Sequence, residues 1–203
     1  MSRAGRISGR RAQAAGARTE AQVQASVERY ARGGLAYFAK QHPPFIGKRH
    51  AGRVVGSYRE ASGSDFAGVV RGGVAAFFEV KTSGSPSLPL SRQGGKPSLS
   101  HNQRAELRRV WALGGVSGVL VRVVQTVKGK AAPSWWWLTF AAFEAAEAAA
   151  RAERKKSIGF EALSEHGERL PMCGGGPDFL PAMISLISSR LSFVGRHMAR
   201  ASR

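Results

Sequence analysis

The sequence predicts a single α/β domain in which a central mixed β-sheet is flanked by helices. Apolar, strand-like runs alternate along the chain with segments of helical composition, which is typical of this fold class. The run at 116–124 is long and mostly apolar, as expected of a central strand buried on both faces. No internal repeat and no linker divides the 203 residues, a length that suits one good-sized domain.

The first predicted helix covers residues 19–32. Thr19 is a suitable N-cap, and two consecutive glycines follow the last turn, where they end a helix. A short strand is expected at 35–38. Residues 45–60 are rich in basic side chains, and the pattern leaves open whether they form a loop or a hairpin.

A β-hairpin is predicted next, because two apolar runs at 66–70 and 74–80 are separated only by Arg-Gly-Gly. The remaining predicted elements are a Ser/Pro/Gly-rich loop at 85–98, a helix from Ser100 to the glycines at 114–115, strands at 116–124 and 135–140, a helix at 141–156 and a last helix at 182–191. Of the three tryptophans at 135–137, strand alternation predicts two in the core and one partly exposed.

The charge balance indicates a polyanionic partner. The chain has 31 Lys and Arg against 13 Asp and Glu, a net charge of +18, and nucleic acid is the partner that such an excess favours. No apolar stretch is long enough to span a membrane, and no secretory signal follows the N-terminus, so a cytoplasmic location without membrane association is expected. The single cysteine excludes an intramolecular disulfide framework and a cysteine-based zinc site.

The two ends of the chain are predicted to lie outside the domain. Residues 1–18 contain no acid and are mostly Ala, Gly and Ser besides their arginines, so they are predicted to form a flexible basic arm that either contacts phosphates or is a solvated tail. The domain is expected to cover 19–191, and 192–203 form a basic C-terminal tail. The arginines of the arm are Arg3, Arg6, Arg10, Arg11 and Arg18.

Three side chains near the predicted hairpin carry the candidate chemistry. Alternation along the second strand places Glu79 and Lys81 on one face and the apolar residues between and before them on the other. A three-residue turn would set Asp65 directly opposite Glu79, whereas a two-residue turn would slip the register and turn Asp65 to the other face.

Two carboxylates facing each other across a ladder are about 5 Å apart at Cβ and repel unless a cation lies between them. Oxygen ligands with open coordination positions suit Mg²⁺, and Lys81 is placed to hold an attacking water or to stabilise charge on a phosphate. Metal-dependent phosphodiester cleavage needs this arrangement. The alternative is a solvated cross-strand ion pair with no catalytic role.

Gln103 and Glu20 each fit two interpretations. Ser100 and Gln103 have the spacing of a capping box, but the Gln103 amide oxygen could instead complete a metal site. Glu20 is either a favourable acid in the first turn of a helix or a third carboxylate near the metal. The five histidines have no ligand spacing, so no histidine site is predicted.

Several of these residues, with others between them, resemble the RecU-type Holliday junction resolvases of the PD-(D/E)xK nuclease superfamily. The resemblance covers about 19–186 and depends on the order and spacing of its elements. They are Glu20, Tyr30, the stretch from Ala36 through Lys40 to Pro43-Pro44, Ser64-Asp65-Phe66 with Gly68, Phe78-Glu79-Val80-Lys81-Thr82, Leu88-Pro89-Leu90, Asn102-Gln103, Gly114-Gly115 and Pro177.

The resemblance implies a restriction-endonuclease-like domain that works as a homodimer and nicks four-way DNA junctions symmetrically with Mg²⁺, for which Mn²⁺ is expected to substitute. Asp65 and Glu79 become metal ligands, with Gln103 and Ser64 as further metal-site residues. Lys81 becomes the residue that stabilises the transition state, and Glu20 matches an acid on the first helix. The arm arginines and four further cations are expected to bind DNA phosphates: Lys40, Lys48, Arg49 and Arg53.

The chain departs from the family in three places. The hairpin has one extra residue between Asp65 and Glu79, which a three-residue turn accommodates. The segment between Pro44 and Asp65, which forms a stalk in the family, is shorter, and the loop at 91–98 is longer. Two alternative functions stay open: a nuclease with the same active site that acts on duplex or other branched DNA, and a non-catalytic nucleic-acid-binding module whose acids are structural.

Overall fold

The structure is a computed structural model. It describes residues 3–41, 45–50, 53–58, 63–91, 95 and 97–201, with the backbone alone in 3–15, 45–50, 53–58 and 191–201. No helix within these residues is long and apolar enough to span a membrane.

The chain forms an α/β fold, as predicted. In order, its elements are α1 Arg3–Arg32, β1 Ala36–Lys40, β2 Phe45–His50, β3 Arg53–Tyr58, β4 Phe66–Val70, β5 Val74–Thr82, β6 Leu88–Pro89, α2 His101–Ala112, β7 Val116–Val127, β8 Lys130–Thr139, α3 Phe140–Ala152, β9 Ser157–Ile158, α4 Phe160–His166, β10 Glu168–Leu170, β11 Met172–Cys173, β12 Gly176–Pro177 and α5 Leu180–Ala201.

A six-stranded mixed sheet with the order β1-β4-β5-β7-β8-β10 forms the centre of the molecule. Among the strands that the structure describes, only β5 and β7 pair in parallel, and the segment that contains α2 connects them, as a parallel connection requires. The position of β7 inside the sheet confirms the prediction that the run at 116–124 is a central strand.

Helices cover both faces of this sheet. On one face, α1 and α5 pack over Phe38, Phe66 and Phe78. On the other, α2, α3 and α4 pack over a second apolar cluster around β7 and β8. The prediction that one of the three tryptophans of β8 is partly exposed is wrong, because a strand covered on both faces buries odd and even residues alike.

Several element boundaries differ from the predicted ones. Helix α1 begins at Arg3, so Thr19 lies inside the helix and does not cap it. Strand β8 begins at Lys130, five residues earlier than expected, and α3 ends at Ala152. Helix α5 continues to Ala201. The backbone of most of the predicted arm and tail is therefore helical, while the division into arm, domain and tail stays a prediction.

The basic segment at 45–60 contains a hairpin, one of the two predicted alternatives. Strands β2 and β3 pair antiparallel from Phe45↔Tyr58 to His50↔Arg53. The side chains of Lys48, Arg49 and Arg53, which are predicted to bind DNA, lie outside the described part of the structure.

Candidate active site

The β4–β5 hairpin has the register that brings the two acids together. Its turn has three residues, since Val70 pairs with Val74, and Gly72 and Gly73 adopt the positive φ angles of 99° and 84° that the turn needs. The ladder continues to the pair Phe66↔Phe78. This register confirms the predicted three-residue turn, and its next step along each strand sets Asp65 opposite Glu79.

The two carboxylates are each hydrogen-bonded to the other strand. The backbone N–H of Asp65 donates to Glu79 Oε2 at 3.0 Å, and the N–H of Val80 donates to Asp65 Oδ2 at 2.8 Å. Asp65 Oδ1 accepts no hydrogen bond from any residue that the structure describes. Asp65 is partly exposed, so its second oxygen is available to a ligand from outside.

Lys81 completes the group from the same face of β5. Its Nζ lies 2.6 Å from Glu79 Oε1. Glu79 is 2% exposed and Lys81 4%, so both lie deeper than the solvent-facing ion pair of the alternative interpretation. Lys81 borders a pocket of about 290 Å³ that is also lined by Thr82, Leu88 and Ser91, which connects this buried group to the surface.

The electrostatics of the site favour a bound cation. Burial is the main cause that raises the pKa of Glu79 to about 7, and the charge of Asp65 raises it further. Lys81 acts in the opposite direction but does not cancel these effects. The Glu79 carboxyl group is therefore partly protonated near neutral pH, and a divalent cation beside Asp65 would displace that proton.

Gln103 forms the predicted helix cap and also contacts the candidate site. Its Oε1 accepts a hydrogen bond from the backbone N–H of Ser100 at 2.9 Å, and its backbone N–H donates to Ser100 Oγ at 3.2 Å, so the predicted capping box is present. Its Nε2 donates to Glu79 Oε1. The amide thus orients the carboxylate through its nitrogen, and its role as a metal ligand stays a prediction.

Ser64 and Glu106 shape the bend that leads into Asp65. The hydroxyl of Ser64 donates to the carbonyl oxygen of Phe66 at 3.1 Å, and its backbone N–H donates to the Glu106 carboxylate. Glu106 follows Gln103 by three residues, so both lie on the same side of α2. Glu106 is not among the predicted site residues, although its spacing from Gln103 is visible in the sequence. The metal-site role of Ser64 stays a prediction.

Glu20 has a cation partner in the structure. Because α1 begins at Arg3, Glu20 is not in its first turn, and the dipole interpretation is wrong. Its carboxylate pairs with Lys40 at 2.7 Å. Within the described residues, no group of three or more His, Cys, Asp or Glu side chains is arranged to hold a metal ion. A catalytic part for Glu20 stays a prediction.

Arg18, which is predicted to contact DNA, lies near Arg122, which the sequence did not indicate as a site residue. Arg18 is exposed, and its charge helps burial to lower the pKa of Arg122, whose Nε is buried without a hydrogen-bond partner among the described residues. Two guanidinium groups near each other favour an anion between them. The side chains of Arg3, Arg6, Arg10 and Arg11 lie outside the described part.

A mixed sheet flanked by helices, with an acid facing a Glu-x-Lys strand across a hairpin, defines the class of nuclease-like α/β domains. The family model described as Recombination protein U matches residues 14–182. The chain therefore belongs to the RecU family, as its sequence predicted. A search of curated proteins gave no match.

Proposed function

We propose that the chain is a Mg²⁺-dependent endodeoxyribonuclease that resolves four-way DNA junctions by paired symmetric nicks. Membership of the RecU family supports a junction-resolving role in recombination. The observation that carries the catalytic part is the facing pair of Asp65 and Glu79 with Lys81 2.6 Å from the second acid.

The donor set fits a hard divalent cation. Asp65 Oδ1 and Glu79 Oε2 are the atoms we assign as ligands, because each retains capacity to accept after its hydrogen bonds within the hairpin. Few protein ligands suit Mg²⁺, which keeps several waters and shares its sphere with phosphate oxygens. When bound, the ion would lower the pKa of a coordinated water and polarise the scissile phosphate. Mn²⁺ is expected to substitute.

The side chains of the chain perform the remaining tasks. Lys81 is held by Glu79 and presents a positive charge beside the position of the phosphate, where negative charge grows during in-line attack. Gln103 fixes the Glu79 carboxylate from α2, and Ser64 holds the bend before Asp65. A site held by backbone and side-chain hydrogen bonds needs little rearrangement during the reaction.

A homodimer would explain paired nicks, because a two-fold axis relates two such sites and two opposed strands of a junction. The net charge of +18 supports binding to phosphates without sequence reading. The proposed substrate is the DNA of the bacterial nucleoid or of a phage-infected cell. A protein that acts on this DNA would work in the cytoplasm.

A labelled synthetic four-way junction tests the proposal beside a linear duplex of the same sequence. With Mg²⁺, symmetric nicks are expected in the junction and not in the duplex, and EDTA should abolish them. Equal cleavage of the duplex would instead indicate a nuclease of broader substrate range. Tight binding without cleavage in Mg²⁺ or Mn²⁺ would indicate a non-catalytic binding module.

A further inference from the structure

A basic groove lies beside the candidate active site and contains none of the residues assigned to it. The groove has a volume of about 430 Å³. The loop that follows β6 lines it, and no acid is among its lining residues in the part of the chain that the structure describes. Four cations line it as well: Arg151, Arg154, Lys155 and Lys156. Ser91 lines both this groove and the pocket that Lys81 borders, so the two are neighbours along one loop.

The groove is built on a fixed framework. Strands β6 and β9 pair through Leu88↔Ile158, both buried, and the N–H of Leu90 donates to the carbonyl oxygen of Lys156 at 3.0 Å. The loop that leaves the active-site strand β5 is therefore attached to the chain just after α3. This attachment holds the cations at a set position relative to Lys81.

The end of α3 contains an arginine where a glycine is the usual residue. Arg154 has a φ of 56°, and the N–H groups of Arg154 and Lys155 donate back to Arg151 and Ala150 in the pattern of a Schellman motif. A left-handed conformation disfavours a residue with a side chain. Backbone strain of this kind is found most often at functional sites, and Arg154 is one of the residues that line the groove.

Two of the four cations have acidic partners. Arg151 pairs with Glu147 at 2.8 Å, and Lys155 pairs with Glu153. Among the residues that the structure describes, Arg154 and Lys156 form no ion pair. Like charges held together on exposed side chains repel, and an anion between them relieves that repulsion.

We propose that this groove binds the sugar-phosphate backbone of the DNA strand that runs past the active site. The inference rests on the proposed function, which supplies the substrate, and adds a binding surface that the site residues do not include. A phosphodiester is the chemistry that fits, because it carries one negative charge per unit and presents oxygen acceptors to Arg and Lys. The groove therefore fixes where the strand lies relative to Lys81 without reading its sequence.

The test compares two doubly substituted proteins of equal charge. Arg154→Gly with Lys156→Gln removes two charges from the groove and leaves the α3 end in a conformation that glycine adopts readily. The control, Arg71→Gln with Arg109→Gln, removes two exposed charges from the opposite end of β5 and α2. Both are made in the Asp65→Asn protein, so that binding to a labelled junction is measured without cleavage.

Binding is measured between about 50 and 200 mM salt, where each lost phosphate contact lowers the slope of log K against log salt by about 0.9. The groove variant is expected to lose about two units of slope and to bind roughly tenfold more weakly, with the control unchanged. Lys156→Gln alone, which leaves the α3 motif intact, should lose about one unit. Thermal unfolding should show all variants folded.

Equal slopes for groove variant and control would overturn the inference, even if the parent protein cuts junctions as proposed. If the parent protein binds DNA but never cuts it, the proposed function fails, and the slopes still decide whether the groove binds the backbone. If the parent protein binds no DNA at all, both proposals are wrong.

Discussion

Two buried glutamates in this molecule have opposite electrostatic environments. Glu79 is 2% exposed and Glu147 is 5% exposed, and both receive a hydrogen bond from α2. Gln103 donates to the first, and Arg104, the next residue along the helix, donates to the second. Burial alone would raise the pKa of both carboxyl groups, so their difference comes from their partners.

Two arginines compensate the negative charge of the Glu147 carboxylate. Burial raises its pKa, but hydrogen bonds from Arg151 and Arg104 outweigh that effect and leave the pKa below its ordinary value. Glu79 has one lysine and, opposite it, the second acid Asp65, so its pKa rises to about 7. The Glu147 carboxylate, whose charge is balanced by arginines, joins two helices. The Glu79 carboxylate, whose charge Lys81 balances only in part, is suited to bind a cation from solution.

The same substitution at the two positions should give the largest contrast. Glu79→Gln removes a proposed metal ligand, and junction cleavage should fall by about 10³-fold or more, since one electrostatic catalytic group contributes roughly that much. Glu147→Gln changes a side chain whose ion pairs are with Arg104 of α2 and Arg151 of α3, and its cleavage rate should stay within about threefold of the parent under conditions where both are folded. Single-turnover cleavage of the labelled junction measures both rates.

Asp65→Asn tests the second proposed metal ligand in the same way. It should abolish cleavage as Glu79→Gln does, while junction binding survives in both proteins. A loss of binding and fold together in either one would show that the acids are structural. Full activity in Glu79→Gln would show that the metal site lies elsewhere.

The substitution with little effect on cleavage should have the larger effect on the free energy of unfolding. Glu147→Gln leaves Arg104 and Arg151 without their charged partner, and the free energy of unfolding should fall by about 2 kcal/mol, less than for a fully buried pair because Arg151 is half exposed and Arg104 retains Glu144. Asp65→Asn removes repulsion with Glu79 and should change it by less than about 1 kcal/mol. Urea unfolding at pH 8 measures both values. Equal losses would contradict the assignment of one acid to structure and the other to function.

The hairpin that carries the site could be predicted because its signals are local. Turn length sets the register, and alternation sets the face, so the pairing of Asp65 with Glu79 and the shared face of Lys81 followed from the sequence. Burial of the glutamate and lysine could not be predicted in the same way. It depends on α2 and on the loop after β5, which reach this face only through tertiary packing.

The elements that sequence reasoning missed lacked a local signal or were overridden by context. Strands β9 to β12 have two or three residues each, too few for a periodic pattern. Thr19 matches the pattern of an N-cap, but the Ala-rich segment before it has helix propensity of its own, and α1 includes it. The hydrogen bond from Gln103 to Glu79 was not predicted, because sequence spacing shows that the side chain can reach Ser100 but not that the same amide reaches β5.

The smallest expected effect is a pH dependence that only one of the two glutamates produces. A folded-state pKa of about 7 for Glu79, against about 4.3 in the unfolded chain, means that the folded protein binds the proton more tightly. Its contribution to stability is therefore present at low pH and is lost as the pH rises toward and through 7. For the metal-free protein in EDTA, the free energy of unfolding should fall by about 2 kcal/mol from pH 5 to pH 8 on this account.

The contribution of Glu147 to stability depends on pH in the opposite direction and over a different pH range. Its lowered folded-state pKa contributes stability that is present above the unfolded-state pKa and is lost only as the pH falls below it, so Glu147 should be silent between pH 5 and pH 8. Urea unfolding of the Glu79→Gln protein should consequently lack the fall that the parent shows, whereas Glu147→Gln should keep it. Adding Mg²⁺ should stabilise the parent more at pH 8 than at pH 5, because the metal and the proton compete for the same carboxylate. A fall that persists in Glu79→Gln would assign the titration to another group and remove the electrostatic argument for a cation between Asp65 and Glu79.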